Sequence, residues 1–150
     1  MIERKPGDFV KESYLDNNEK AIKIFSSFLT KKGYHIIDKE EDYWIDIEAT
    51  KENNTLLFEV EMKSKVKFSD RESFPFNTVS FLARKEKWKS TPFWYCIICE
   101  STGFAVIANS DKIYKKRYRE NINVNTKHRK GLDSFYRVPK EECYFVNVSS

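Results

Sequence analysis

Two neighbouring segments of this chain alternate between apolar and polar side chains, and this alternation restricts the possible folds more than any other feature. In residues 43–50 the apolar side chains of one face are Ile45, Ile47 and Ala49. In residues 56–63 they are Leu56, Phe58, Val60 and Met62. Because side chains of a β-strand point alternately to its two faces, each segment is predicted to be a strand with one face against a core. Residues 51–54 predict a turn that joins the two strands as a hairpin.

The polar faces of these two strands carry acidic residues that meet across the predicted hairpin. In one register Thr50 pairs with Thr55, and Asp46 lies opposite Glu59 and diagonal to Glu61. In the other register the turn is two residues shorter, and Asp46 lies opposite Glu61. A shift of two residues keeps every side chain on its face, so both registers place the three acids together. Opposite and diagonal neighbours have Cβ atoms roughly 5 and 7 Å apart, close enough for two carboxylates to bind one cation.

This acidic face needs positive charge nearby, because like charges on adjacent strands destabilise a sheet. Lys63 lies on the same face and supplies part of that charge, and a divalent metal would supply more. Mg²⁺ binds one or two carboxylates together with water and phosphate oxygens. It lowers the pKa of a bound water and stabilises charge on a phosphodiester. The pattern favours metal-assisted phosphodiester hydrolysis, and a solvated strand face is the alternative interpretation of the same residues.

Asp46 is followed 15 residues later by Glu61-Met62-Lys63, and this spacing resembles the signature of the PD-(D/E)XK nuclease superfamily. The similarity covers residues 16–65, where the chain looks most like the archaeal Holliday-junction-resolvase branch. The resemblance implies a restriction-endonuclease-like fold in which Asp46 and Glu61 bind Mg²⁺, with Mn²⁺ as a substitute. It also implies that Lys63 is the catalytic lysine and that Glu19, on the preceding helix, adds an acid to the metal site.

Two residues depart from the pattern of that family. Ile45 stands in place of the proline that gives the family its name. Glu59 is an additional acid on the face that carries Glu61, and only Glu61 has the E-x-K spacing. The predicted metal ligands are therefore Asp46 together with Glu61 or Glu59.

Charge is divided unevenly along the chain. The 27 Lys and Arg exceed the 23 Asp and Glu by a net charge of +4. Residues 38–61 hold nine acidic and two basic residues, whereas residues 112–130 hold eight basic residues and one acidic residue. The basic block suits DNA phosphates, and an amphipathic helix with a solvated basic face is its alternative interpretation. The predicted nucleic-acid-binding residues are Arg84, Lys85, Lys115, Lys116, Arg117, Arg119, Lys127, Arg129 and Lys130.

The remaining segments predict a single α/β (α+β) domain. A helix with capping residues at 16–18 and apolar residues at three- and four-residue steps runs to Gly33. Further strands are predicted over residues 34–37, 78–82, 93–99, 103–109 and 144–148. We expect one central mixed sheet flanked by helices, with the core in residues 16–109 and the basic tract and closing strand in residues 110–150.

Composition excludes several classes of protein. The longest apolar run, residues 93–99, is far shorter than the roughly 20 residues of a membrane span, and the N-terminal residues lack the apolar stretch of a secretory signal. An intracellular, cytoplasmic protein with no membrane partner is expected. The three cysteines are too few for a disulfide scaffold, and Cys96 and Cys99 are predicted to be buried and reduced.

These observations predict a Mg²⁺-dependent endonuclease that hydrolyses phosphodiester bonds of DNA, branched DNA or a specific duplex site among them. A homodimer is the expected working unit, because cutting both strands of a duplex calls for two active sites. The alternative function is a non-catalytic nucleic-acid-binding module of the same fold. A third interpretation, a protein-interaction domain, predicts no salt-dependent affinity for nucleic acid.

Overall fold

The structure, a computed structural model, describes residues 6–38, 45–83, 85, 91–125 and 130–149. Within these residues the helices are α1 (Pro6–Lys31) and α2 (Ser110–Ile113), and short 3-10 helices cover Lys116–Tyr118 and Lys140–Glu142. The nine strands of the described residues are β1 (His35–Ile36), β2 (Ile47–Lys51), β3 (Asn54–Lys63), β4 (Thr78–Leu82), β5 (Trp94–Cys99), β6 (Phe104–Asn109), β7 (Arg119–Asn125), β8 (Lys130–Pro139) and β9 (Tyr144–Asn147).

The strands form two sheets. The larger sheet has the order β1-β2-β3-β5-β6-β9, in which only β3 and β5 run parallel, and the smaller sheet has the antiparallel order β4-β8-β7. The predicted α+β class with a central mixed sheet is confirmed. The smaller sheet was not predicted, because its two long strands come from the basic tract and from residues 130–139. The amphipathic helix considered for the basic tract is wrong: strand β7 and two short helical turns cover that region.

Helix α1 packs on one face of the larger sheet through Ala21, Phe25 and Leu29, which are buried. It begins at Pro6, so residues 16–18 lie inside the helix and do not cap it; proline suits a first helical turn because its missing N–H needs no partner there. The predicted end is confirmed, since α1 stops at Lys31 and Gly33 follows with a left-handed φ of 93°. None of the helices in the described residues is long and apolar enough to cross a membrane.

The larger sheet has a hydrophobic core on each face. On the side of α1, the core includes Phe58, Val60 and Cys96. On the other side, residues such as Phe81, Tyr95 and Val138 form a core between the larger sheet and the smaller one. The strand face that carries the acids is therefore covered by the smaller sheet and is not simply exposed to solvent. Cys96 and Cys99 are buried and free, as predicted, and belong to opposite cores.

Candidate active site

The hairpin between β2 and β3 has the first of the two predicted registers. Thr50 pairs with Thr55, and the chain reverses at Glu52, whose φ of 57° lies in the left-handed region. Asp46 immediately precedes β2, so continuation of this register sets Asp46 opposite Glu59. The sequence-based expectation that these two acids meet across the hairpin is confirmed by this register and by the contacts of both side chains.

The carboxylate of Asp46 is held by the backbone of the neighbouring strand. Its Oδ2 accepts a hydrogen bond of 3.0 Å from the amide of Val60. The Lys85 ammonium lies 3.9 Å from the same oxygen and 3.0 Å from Oε2 of Glu59. The three side chains form what we call the Asp46–Glu59–Lys85 cluster, in which Glu59 is 4% exposed and the other two about one-fifth exposed. Lys85 thus supplies the compensating charge that the sequence had assigned to Lys63.

An aromatic ring lies beneath this cluster. Tyr95 of β5 is the register partner of Glu59, and the Lys85 ammonium lies 5.7 Å from the centre of its ring. A cation over an aromatic face is stabilised by the charge distribution of the ring. The location of Lys85 is therefore fixed by two carboxylates and one ring.

Burial raises the pKa of Glu59 to about 8, and a hydrogen bond with Asp46 acts in the same direction, while the charge of Lys85 opposes both. At neutral pH most Glu59 side chains therefore keep their proton. The positive charge of Lys85 then balances the negative charge of Asp46, and the buried cluster has no net charge. Burial of a second negative charge next to the first would be unfavourable because of desolvation and repulsion.

We expect the stability of the protein to fall as pH rises from about 5 to about 8. In this window the unfolded chain has lost the Glu59 proton and the folded chain still holds it, so raising pH favours unfolding. A pKa that rises from 4.5 to about 8 on folding corresponds to at most about 5 kcal/mol. Glu59→Gln, which keeps the shape without the titration, should remove this slope in urea unfolding measured at several pH values. An unchanged slope in Glu59→Gln would show that other groups cause it.

Glu61 lies two residues further along the same face of β3. Its Oε1 is buried, as is the hydroxyl of Tyr95, and neither atom makes a hydrogen bond of good geometry within the described residues. Burial raises the pKa of Tyr95 well above its ordinary value, and the charge of Glu61 and a weak hydrogen bond between the two side chains act in the same direction. A buried carboxylate oxygen with so poor a partner is energetically unfavourable, and such an atom is typical of a site that binds a further polar or charged group.

Lys63 ends β3 on the same face and lines a cavity of about 300 Å³ between the two sheets. The side chain of Lys63 makes no hydrogen bond or ion pair with any residue that the structure describes. An unpaired lysine ammonium beside a cavity is available to an anion. Lys63 and Glu61 are thus on the face predicted for them.

The acids of this face are oxygen donors of the kind that a divalent metal binds. Asp46 and Glu59 bring two carboxyl groups within contact of one cation, and the buried oxygen of Glu61 lies on the same face. Two carboxylates with water suffice for Mg²⁺. Within the described residues no group of three or more His, Cys, Asp or Glu forms a metal-binding cluster. The donor set fits a cation with one or two protein ligands and does not fit a cation held entirely by protein.

The other predicted residues lie away from this cluster. Glu19 is exposed on α1, and the cluster does not include it. The basic residues at positions 115–117 and 119 lie around the short 3-10 helix and the start of β7. In this region Arg117 contacts Tyr118, and Arg119 donates a hydrogen bond to the hydroxyl of Tyr136. Lys130 is in β8. Three further basic residues that were predicted to bind nucleic acid lie outside the described residues: Arg84, Lys127 and Arg129.

Several residues of the site were not found from the sequence. Lys85 was predicted to bind phosphate, and its contact with Glu59 joins residues 26 positions apart. Tyr95 was assigned only to a buried strand. Arg137, on β8, lines the cavity together with Lys63. The alternation of Tyr136 and Val138, which are both buried, is the signal from which the strand that carries Arg137 can be recognised.

Comparison of the chain with protein families, with characterised proteins and with solved structures found no match.

Proposed function

We propose that the protein is a metal-dependent endonuclease that hydrolyses phosphodiester bonds of DNA. One observation carries the proposal: the Thr50–Thr55 register of the hairpin, which sets Asp46 against Glu59. The same face of β3 continues with Glu61 and Lys63. Paired carboxyl groups with a neighbouring lysine combine a cation site with a group that can reach a phosphate. The proposal agrees with the resemblance to PD-(D/E)XK nucleases described above.

Asp46 together with Glu61 or Glu59 would hold a divalent cation in this proposal. A bound Mg²⁺ supplies positive charge and a water of lowered pKa beside a phosphodiester. Glu59 has to release its proton before it acts as a ligand, because metal ligands bind in their deprotonated form. Glu61 has the E-x-K spacing and a buried oxygen that makes no hydrogen bond of good geometry within the described residues, which favours Asp46 and Glu61 as the primary pair.

Lys63 and Lys85 have different roles in the proposal. The ammonium of Lys63 donates hydrogen bonds to the attacking water or to a phosphate oxygen and stabilises the charge that develops there. Lys85 balances the charge of Asp46 within the cluster. It therefore competes with a metal for the oxygens of Asp46 and Glu59. The sequence predicts Lys85 to bind phosphate, and the proposal assigns this role to it instead.

DNA is the proposed polyanion, because the basic residues of positions 115–119 lie on an exposed turn. Lys116, Arg117 and Arg119 are exposed, and contacts of this kind bind backbone phosphates without reading sequence. A symmetric homodimer with one active site for each strand remains the proposed working unit.

The second candidate function is a nucleic-acid-binding module without catalysis. The observation that favours it is the 3.0 Å contact between the Lys85 ammonium and Glu59, since a lysine already occupies the position next to the acids that a metal would take. In that case the Asp46–Glu59–Lys85 cluster is a structural element of the core. DNA binding then depends on salt and is unaffected by divalent ions.

Calorimetric titration with Mg²⁺ and Mn²⁺ separates the two functions. For a nuclease we expect saturable binding to the wild-type chain, weakened at least tenfold in Asp46→Asn and in Glu61→Gln. Glu72→Gln is the matched control, because Glu72 is exposed and should bind metal like the wild-type chain. No heat of binding in the wild-type chain, or equal binding in Asp46→Asn, would favour the non-catalytic module.

A further inference from the structure

The cavity beside Lys63 has an apolar interior. It lies between the face of the larger sheet that carries the acids and strands β4 and β8 of the smaller sheet. The deeply buried lining residues are Phe68, Val79, Ile97 and Val106. Its volume of about 300 Å³ is at the lower end of the range for small-molecule sites. The interior suits a single flat, mostly apolar group.

The mouth of the cavity is polar, cationic and aromatic. Lys63, Arg137, Thr78 and Ser80 line the cavity, and none of them is buried. Phe76 also lines the cavity, is 57% exposed, and is one of the two large hydrophobic residues that are exposed in the described part of the chain. An exposed aromatic ring at the edge of a cavity is available for stacking.

The positive charge at this mouth is available to an incoming anion. Lys63 has no ion-pair partner among the described residues. Arg137 pairs with Glu120 at 3.2 Å, but both side chains are more than 40% exposed. An exposed ion pair contributes little to stability and exchanges readily. Both cations can therefore meet a phosphate, Arg137 through the exposed part of its side chain.

We propose that this cavity binds one unpaired base of DNA, with the ring stacked against Phe76 and the adjoining phosphate at Lys63 and Arg137. A base combines apolar faces with a polar edge, which the hydroxyls of Thr78 and Ser80 can bind. A base within an intact duplex is stacked and cannot enter. The inference rests on the proposed nuclease function and deepens it, since it selects DNA with unpaired nucleotides over fully paired duplex.

Other occupants explain fewer of the residues. A wholly apolar ligand leaves Lys63 and Arg137 without a role, and an inorganic anion leaves the apolar interior unused. A base with its phosphate uses the interior, the hydroxyls, the ring and both cations. This match of shape and charge is the reason for the choice of ligand.

The test is a comparison of two DNA duplexes, each of two annealed strands without a loop and with the same paired sequence, one of them with a single additional unpaired adenine. Affinities are measured by fluorescence anisotropy in EDTA, so that no cleavage is needed. We expect the wild-type chain to bind the duplex with the unpaired base about tenfold more tightly. Phe76→Ala should weaken that binding about 5- to 100-fold, the range for the loss of one base–aromatic stack. It should leave the affinity for the fully paired duplex unchanged.

Two further variants keep the test decisive. Tyr144→Ala removes the other exposed aromatic residue, which is on β9 outside the cavity lining, and should leave both affinities unchanged. Ser80→Trp places bulk at an exposed position of the mouth and should lower only the affinity for the unpaired base. Equal wild-type affinities for the two duplexes would overturn this inference alone. Equal losses in Phe76→Ala and Tyr144→Ala would also overturn it, and no affinity for either duplex would overturn the proposed function as well.

Discussion

Lys63→Ala is expected to lower the rate of DNA cleavage about 100- to 1000-fold while DNA affinity changes at most a few-fold. The reason is the position of Lys63 beside Glu61 on the acidic face, with an ammonium that no described residue pairs with. Groups that donate to a developing charge contribute about this factor to catalysis. One phosphate contact contributes little to total DNA affinity when many lysine and arginine side chains bind the DNA backbone. Single-turnover cleavage and filter binding measure the two quantities.

Lys65→Ala is the matched control for this prediction. Lys65 is an exposed lysine two residues beyond Lys63, so the substitution removes the same charge from a position outside the proposed site. Its cleavage rate should equal that of the wild-type chain. Cleavage by Lys63→Ala at the wild-type rate would remove Lys63 from the mechanism, and equal losses in both variants would assign the effect to general charge.

Lys85→Met is expected to destabilise the protein by about 3 kcal/mol. The substitution keeps most of the side-chain length but leaves the Asp46 carboxylate without the cation that balances it. Removing one partner of a buried ion pair costs about 3–5 kcal/mol, and the partial exposure of Lys85 places it at the lower end. If Lys85 and a metal compete for the same oxygens, Mg²⁺ should stabilise Lys85→Met more than the wild-type chain. Urea unfolding with and without Mg²⁺ measures both effects.

Lys112→Met provides the comparison for this second prediction. Lys112 pairs with Glu142 at 3.4 Å, but the two side chains are 55% and 43% exposed. An exposed pair of this kind contributes about 0–1 kcal/mol. If Lys85→Met is no less stable than Lys112→Met, the Asp46–Glu59–Lys85 cluster is not a buried charged unit. If Mg²⁺ stabilises neither Lys85→Met nor the wild-type chain, the proposed competition is wrong.

The hairpin that carries the acids was predictable because strand alternation has a period of two residues. Any shift that keeps the apolar face buried also keeps Asp46 on the face of Glu59 and Glu61. The choice between the two registers was not predictable. The chain reverses at Glu52, which has a positive φ. A glycine or an asparagine at this position would have indicated the left-handed conformation, and a glutamate does not.

The surroundings of the acids were less predictable, because they depend on contacts distant in sequence. The smaller sheet joins β4 with β8, where Ser80 pairs with Arg137. This sheet covers the face that carries the acids. Glu59 is buried there, and burial raises the pKa of its carboxyl group. The sequence-based view of Glu59, Glu61 and Lys63 as a face directed away from a core was therefore incomplete, since a second core covers it. The cavity between the sheets depends on the same non-local pairing.

The most direct test of the proposed nuclease is a cleavage assay with the wild-type chain and Lys63→Ala. The substrates are plasmid, linear duplex, a four-way junction and a single strand, each incubated in Mn²⁺ and in EDTA. We expect the wild-type chain to cut at least one substrate, the junction or the single strand before the linear duplex, in Mn²⁺ only, and Lys63→Ala to leave all four intact. Binding of DNA by the wild-type chain without cleavage of any substrate in Mn²⁺, or equal cleavage by Lys63→Ala, would contradict the account.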